Sequence, residues 1–162
     1  METDAYDAAQ SIFRGTFDLA DIVFLIILLF LLLCSALASA SEVAYFSLSP
    51  GELEKLKEKG YDKVANLHQK PNLLLSTILI TNNFVNVGIV ILSTYLVNSL
   101  FDFSGNPVLG FIIQVIGVTF IILLFGEIIP KLYANRSQVK MAIFMAGPLT
   151  FLTYLFRPSS TL

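Results

Sequence analysis

Glu127 is hard to explain by packing, because it lies at the end of a long uncharged apolar run. Pro130 follows it three residues later. In a helix, proline has no N–H to donate to the carbonyl four residues back, which is that of Gly126, and its ring crowds that carbonyl. A carboxylate and a free backbone oxygen would then lie side by side at membrane depth, where ionisable groups usually mark an ion or substrate path. The motif alone leaves a second interpretation open, a proline kink with Glu127 extended toward the headgroups.

Small polar residues occupy the second half of another apolar run. Ser35 and Ser39 are four residues apart, so they share one helix face, and Glu42 continues that face one turn later. Taken alone, these residues favour a seam at which two membrane helices approach closely, since serine and alanine permit such an approach.

Three amides interrupt a third apolar run. Asn82 and Asn86 share a helix face, and Asn83 flanks them. Amides can hold membrane helices together, at about 0.6–2 kcal/mol per hydrogen bond. Three within so short a stretch are more than adhesion needs, which favours a binding site.

The candidate ligand atoms are all oxygens from hydroxyl, amide, backbone carbonyl or carboxylate groups. Such a set suits hard cations such as Mg²⁺, Ca²⁺ or Na⁺ better than zinc or copper. One carboxylate leaves a divalent ion with a net positive charge, so binding should be weak and releasable, as transport requires. Glu42 is either a second carboxylate of this site or the partner of a loop lysine.

The composition is that of a membrane protein: 56% of the 162 residues are hydrophobic, and the mean hydropathy is +0.77. The net charge of −2 without a basic patch argues against nucleic acid as a partner. A single cysteine excludes a disulfide within one chain. No phosphate loop and no nucleophile–base pair is visible, so we do not expect an enzyme.

The uncharged runs predict an all-α membrane protein with three transmembrane helices in the lipid bilayer. Residues 140–156 are apolar but short, and Gly147-Pro148 interrupts them, so they predict a juxtamembrane helix along the cytoplasmic interface. A fourth span is the alternative. Transmembrane helices are predicted at about 20–46, 72–100 and 107–136. An extracytoplasmic tail at 1–21 precedes them and could hold an interfacial helix around Phe13 and Phe17. A cytoplasmic helical loop at 50–70, in which Ser49 caps the first helix, joins the first two spans, and a short tail occupies 157–162.

Basic residues set the expected orientation. Five lysines lie between the first two predicted spans, whereas the N-terminal tail has Arg14 alone. Lys131, Arg136, Lys140 and Arg157 follow the third span. The positive-inside rule therefore predicts an external N-terminus and a cytoplasmic C-terminus.

Three motifs, Ser35–Glu42, Thr81–Asn86 and Phe125–Lys131, resemble the transmembrane domain of the CNNM/CorC family of magnesium transport proteins. The resemblance covers about residues 22–156, with alanine at positions 38 and 40 where the family usually has an aromatic residue and glycine. It implies Na⁺-coupled Mg²⁺ export by a homodimer whose juxtamembrane helix forms a belt. A cytoplasmic pair of CBS modules normally follows in the family and is not in these 162 residues.

The resemblance also implies a set of site residues. The asparagine at position 83 varies in the family, so we rank it lower, together with the carboxylate at position 42. The proline at position 130 and the lysine at 131 would support the site rather than bind the ion. The implied ligands are Ser35, Ser39, Asn82, Asn86, Gly126 and Glu127, with Asn83 and Glu42 as secondary candidates and Pro130 and Lys131 as structural support.

Two functions fit these observations. In the first, the three helices carry Mg²⁺ across the membrane. In the second, the protein is a membrane scaffold or sensor, in which the polar residues join helices and any bound Mg²⁺ is structural or regulatory.

Overall fold

Helices account for most of the chain in the computed structural model, which describes residues 2–160 and the side chains of residues 2–157. No β-strand occurs within that part of the chain, which confirms the all-α membrane fold. The helices are α1 (Glu2–Ile12), α2 (Leu19–Ser47), α3 (Pro50–Glu58), α4 (Asp62–His68), α5 (Pro71–Leu100), α6 (Pro107–Arg136) and α7 (Gln138–Ser160). Residues 161–162 of the predicted C-terminal tail lie outside the described residues.

Helix α2 is the central element, because α5, α6 and α7 all pack against it. Helices α2 and α5 have 29 and 30 residues, and about 1.5 Å per residue makes both longer than a hydrocarbon core of about 30 Å. They approach closely at Gly88, where an added Cβ would lie 3.1 Å from a methyl group of Leu31. Glycine at this position therefore leaves room for the Leu31 side chain between the two helices.

Helix α6 is continuous but irregular. Two segments, Ile113–Gly117 and Ile122–Ile128, have π-helical hydrogen bonding, and the Ile129 N–H donates to the carbonyl of Leu124, five residues back. The helix continues beyond Pro130 to Arg136. The missing N–H of proline thus lies next to a widened turn rather than at a helix end, and such turns are frequent at functional sites.

Helix α7 corrects the expected number of spans. Its segment Gln138–Arg157 is long and apolar enough to cross a membrane, so four helices of the described chain meet that criterion, where three were predicted. The prediction took Gly147-Pro148 as an interruption. The helix instead runs through both residues, because a proline removes a single backbone donor and neighbouring turns can continue.

The contacts of α7 place both of its ends at one end of the bundle. Near its start, the Tyr45 hydroxyl at the end of α2 donates to the carbonyl of Ala142 at 2.8 Å. Its later turns line a cavity together with Lys70 and Leu74 at the start of α5. Helix α7 therefore lies across the bundle end, over the last turns of α2 and the first turns of α5.

The hydrophobic core is concentrated at this same end, where α2, α4, α5 and α7 meet. Tyr45, Leu74 and Leu149 are at most 1% exposed. The short helix α3 begins with the expected cap, since the Ser49 hydroxyl accepts from the Glu52 N–H at 3.2 Å and the Glu52 carboxylate accepts from the Ser49 N–H at 2.9 Å. Elsewhere, apolar side chains of the long helices are exposed, as lipid-facing surfaces are.

The opposite end is joined by a short antiparallel contact between the N-terminal segment and the α5–α6 turn. Phe13 pairs with Phe101, and the Asp102 N–H donates to the carbonyl of Ile12 at 2.7 Å. Hydrogen bonds from the side chain and backbone of Ser104 hold the pKa of Asp102 below its usual range. Helix α1 ends at Ile12, so the two phenylalanines around which an interfacial helix was expected lie beyond it.

Candidate cation site

Three oxygen atoms converge between α2 and α5. The hydroxyl oxygen of Ser35, which is fully buried, lies 2.9 Å from Oδ1 of Asn82 and 2.8 Å from Oδ1 of Asn86. The two amides reach the same serine because residues four apart lie one above the other on a helix face. A serine hydroxyl has a single proton and therefore can donate to one carbonyl at a time. The second carbonyl then faces an oxygen lone pair, an arrangement that a cation would relieve.

Helix α6 reaches this cluster through Gly126. The residue is buried, and an added Cβ would lie 3.0 Å from Oγ and 3.6 Å from Cβ of Ser35. A side chain at this position would displace the serine, so glycine is required for the approach. Because Gly126 belongs to the π-helical segment Ile122–Ile128, irregular backbone of α6 lies directly beside the oxygen cluster.

Two buried hydroxyls near the cluster have no hydrogen-bond partner among the described residues. They belong to Ser39, one helical turn after Ser35, and to Thr81, which precedes Asn82. A buried hydroxyl without a partner costs about 1–3 kcal/mol, so each one calls for an explanation. Sequence reasoning missed Thr81 as a candidate ligand, although the residue opens the Thr81–Asn86 motif.

The two candidate carboxylates are joined by one ammonium group. Nζ of Lys131 lies 3.5 Å from the carboxylate of Glu42 and 3.9 Å from that of Glu127, and all three side chains are about one third exposed. Glu42 had been expected to bind either the metal or a loop lysine. Its partner is instead a lysine of α6, so Glu42 of α2 and Glu127 of α6 flank the same positive charge.

The remaining predicted residues are less central. Asn83 is exposed and makes no part of the Ser–Asn cluster, while Pro130 is partly buried in α6. Within the described residues, no group of three or more His, Cys, Asp or Glu side chains could hold a metal ion. The oxygens that the structure brings together here belong to the Ser35 hydroxyl and the Asn82 and Asn86 amides.

Further polar contacts, which the sequence did not single out, lie at the other end of the bundle. Asp21 is 2% exposed; its Oδ1 accepts from the Ser99 hydroxyl at 2.6 Å and its Oδ2 from the Asp18 N–H at 3.2 Å. Between α5 and α6, Nε2 of Gln114 donates to the Thr94 hydroxyl at 2.7 Å. The sequence signal that could have identified Asp21 is its position at the edge of an apolar run. The sequence analysis assigned it to the N-terminal tail.

Comparison with known proteins adds relatives to this geometry. The chain is 36% identical over 136 residues to a UPF0053 protein of Haemophilus influenzae, covering 82% of this chain and 31% of that protein. It is 29% identical over 139 residues to a polyamine export protein of the same organism, covering 79% and 32%. It is 31% identical over 123 residues to metal transporter cnnm-4 of Caenorhabditis elegans, covering 69% and 25%.

The chain thus spans about a third or less of the length of these relatives. Two of them are named as transporters, one of metals and one of polyamines. The family model described as the cyclin M (CNNM) transmembrane N-terminal domain matches residues 26–162, which include every residue of the oxygen cluster. This chain therefore belongs to the CNNM transmembrane domain family.

Proposed function

We propose that this domain carries Mg²⁺ across the membrane through the oxygen cluster between α2, α5 and α6. The observation that carries the proposal is the convergence of two amide carbonyls on one buried serine hydroxyl. A divalent cation would accept all three oxygens at once, and the unpartnered hydroxyls of Ser39 and Thr81 add further ligands within the same polar region.

The oxygen spacing is compatible with a bound Mg²⁺ ion. Adjacent oxygens of an octahedron at about 2.1 Å from Mg²⁺ are roughly 3.0 Å apart. The separations of 2.8 and 2.9 Å around Ser35 are close to that spacing. The choice of Mg²⁺ among hard cations rests on the resemblance of the motifs. The separations of 2.8 and 2.9 Å are also ordinary hydrogen-bond lengths, so Mg²⁺ could replace the hydrogen bond of the Ser35 hydroxyl with little movement of the helices.

Polyamine export is a second candidate, because one relative carries that name and because an ammonium already lies between Glu42 and Glu127. The Ser35 cluster argues against it. Oxygens around an ammonium nitrogen at about 2.9 Å in tetrahedral directions are roughly 4.7 Å apart, which is wider than the observed cluster. We therefore assign the cluster to the metal and treat a polyamine as a competitor at the carboxylates.

Glu127 supplies the negative charge of the proposed pathway. It adjoins Gly126, which contacts the cluster, and its carboxylate faces Lys131. An entering Mg²⁺ would compete with that lysine for Glu127, and a single carboxylate would leave the ion releasable. The resemblance of the motifs supports Na⁺-coupled export, and the lysine-rich α3–α4 region supports a cytoplasmic position for this end of the bundle.

The proposed assembly is a homodimer in a bacterial inner membrane, in which α7 is the cytoplasmic belt. The contacts of α7 with the end of α2 and the start of α5 support a helix along the interface, although its length would also permit a span. The relatives are three or more times as long as the matched segment, which leaves room for the CBS modules of the family.

Transport is tested by Mg²⁺ flux into or out of proteoliposomes with an internal Mg²⁺ indicator. We expect Glu127→Ala to reduce the flux at least tenfold, while cross-linking still detects the dimer. The matched control is Glu58→Ala, which removes an exposed carboxylate of α3 that is not among the proposed site residues. Collapse of the Na⁺ gradient should also stop the flux, and external spermidine should not replace Mg²⁺. Unchanged Mg²⁺ flux in Glu127→Ala would refute the proposal.

The scaffold alternative is separated by melting curves in Mg²⁺, Na⁺ and EDTA. A transport site predicts that Glu127→Gln lowers the stabilisation by Mg²⁺ but leaves the melting temperature in EDTA nearly unchanged, since the side chain is one third exposed. A scaffold predicts the same loss of stability in all three conditions.

A further inference from the structure

A cavity with a mixed polar and apolar lining lies between α4, the start of α5 and the later turns of α7, and none of the Ser35 cluster residues lines it. Its volume is about 200 Å³. Three cationic side chains line it, one from each element: Lys63, Lys70 and Arg157. Among the described residues, its lining contains no carboxylate. The described wall of the cavity therefore has a net positive charge.

The two lysines of the cavity are available for an anion. Both are exposed, and within the described residues neither takes part in an ion pair. Lys70 is also the N-cap of α5, and Leu73 belongs to the first turn of that 30-residue helix. The unbonded N–H groups of a helix start and the helix dipole both favour a negative group.

The other wall of the cavity is apolar. Leu67 and Leu74 are at most 8% exposed and belong to the hydrophobic core, while Tyr154 at the rim is 74% exposed. Aromatic side chains with a polar tip are typical of the membrane–water interface. The cavity thus combines cations with an apolar floor at the end of the bundle that carries the loop lysines.

We propose that this cavity binds the phosphate headgroup of an anionic phospholipid. Lys63 and Lys70 would contact the phosphate, and Leu73 and Tyr154 would contact the first carbons of the acyl chains. Basic pockets between helices at the cytoplasmic interface recognise lipid headgroups in this way. A soluble phosphate would satisfy the cations but would leave the apolar surfaces of Leu73 and Tyr154 in the lining without a partner, so we assign the cavity to the lipid. This inference does not depend on what the oxygen cluster transports.

The test is native mass spectrometry of the whole chain in an uncharged detergent, with added phosphatidylglycerol or phosphatidylcholine. A micelle without charged lipid removes the general attraction of a membrane surface. We expect one phosphatidylglycerol per chain to be retained about tenfold better than phosphatidylcholine. Lys63→Gln with Lys70→Gln should remove that preference. The control pair Lys55→Gln with Lys59→Gln makes the same change in net charge on α3 and its cap, outside this cavity.

Three outcomes would overturn the proposal. The control pair could lose the lipid as fully as the cavity pair, which would show general charge attraction. Phosphatidylcholine could be retained equally well. Inorganic phosphate at millimolar concentration could displace the lipid, which would show a site for a soluble anion. Because Lys63 and Lys70 are exposed, the double variant should fold, and its melting temperature in detergent verifies this.

Discussion

The end of the bundle where α5 and α6 are joined and the middle of α2 and α5 differ in how their polar groups are satisfied. At the end where α5 and α6 are joined, both carboxylate oxygens of Asp21 accept hydrogen bonds, and Gln114 donates to Thr94, whose hydroxyl donates onward to the Val90 carbonyl. In the Ser35 cluster, by contrast, two carbonyls share one proton, and the nearby Ser39 hydroxyl has no partner within the described residues.

This difference separates structure from function. Polar groups that hold helices together are paired, because a buried donor or acceptor without a partner is destabilising. Polar groups that await an ion have more acceptors than the protein can satisfy. The comparison therefore supports a structural role for the Asp21 contact and the proposed binding role for the Ser35 cluster, and it predicts opposite responses to substitution and to Mg²⁺.

The largest expected effect is that of Asn86→Leu. The substitution removes one carbonyl and leaves the Ser35 hydroxyl free to donate to Asn82, so stability in EDTA should change by less than about 1 kcal/mol. Stabilisation by Mg²⁺, about 2.7 kcal/mol at a hundred times the dissociation constant, should disappear. Melting curves with and without Mg²⁺ measure both. If Asn86→Leu kept the full increase in melting temperature with Mg²⁺, the proposed distinction between the Ser35 cluster and the Asp21 contact would be contradicted.

Asp21→Ala should give the converse result. It leaves the Ser99 hydroxyl and the Asp18 N–H without their acceptor, which costs about 1–3 kcal/mol. Because this contact is assigned to stability, the loss should be the same in Mg²⁺ and in EDTA, and the concentration of Mg²⁺ for half-maximal stabilisation should not move. A weaker response to Mg²⁺ in Asp21→Ala would mean that the Asp21 contact also takes part in binding.

Lys131→Gln should have the smallest effect. It releases Glu42 and Glu127 from a competing cation, so the Mg²⁺ affinity should rise about two- to fivefold, in keeping with the modest strength of partly exposed ion pairs. Titration of the melting temperature with Mg²⁺ measures the change, and Lys59→Gln on the loop side is the control. A lower affinity for Mg²⁺ in Lys131→Gln would indicate that the lysine organises the site rather than competing for it.

Much of this arrangement could be predicted from the sequence, because uncharged runs, helical spacing and the three motifs are local signals. Ser35, Asn82 and Asn86 share faces that spacing alone reveals, and Gly126 meets them as the resemblance implied. The continuation of α7 through Pro148 was missed, since one lost hydrogen bond can be tolerated in a helix whose neighbouring turns remain packed.

Other features depend on tertiary contacts that no local pattern encodes. The partner of Glu42 is a lysine almost ninety residues away in sequence, and the burial of Asp21 depends on Ser99 at the far end of α5. The π-helical turns of α6 at Ile113–Gly117 and Ile122–Ile128 were not predicted from the sequence. The Thr81 hydroxyl became a candidate ligand only because the structure showed it buried, with no hydrogen-bond partner among the described residues.

The most direct measurement is a structure of the full chain with Mn²⁺ in place of Mg²⁺, using anomalous scattering to locate the metal. The account predicts one anomalous peak about 2.1–2.3 Å from Ser35 Oγ, Asn82 Oδ1 and Asn86 Oδ1. A peak at Glu42 and Glu127 alone, or none among α2, α5 and α6 at saturating metal, would contradict it.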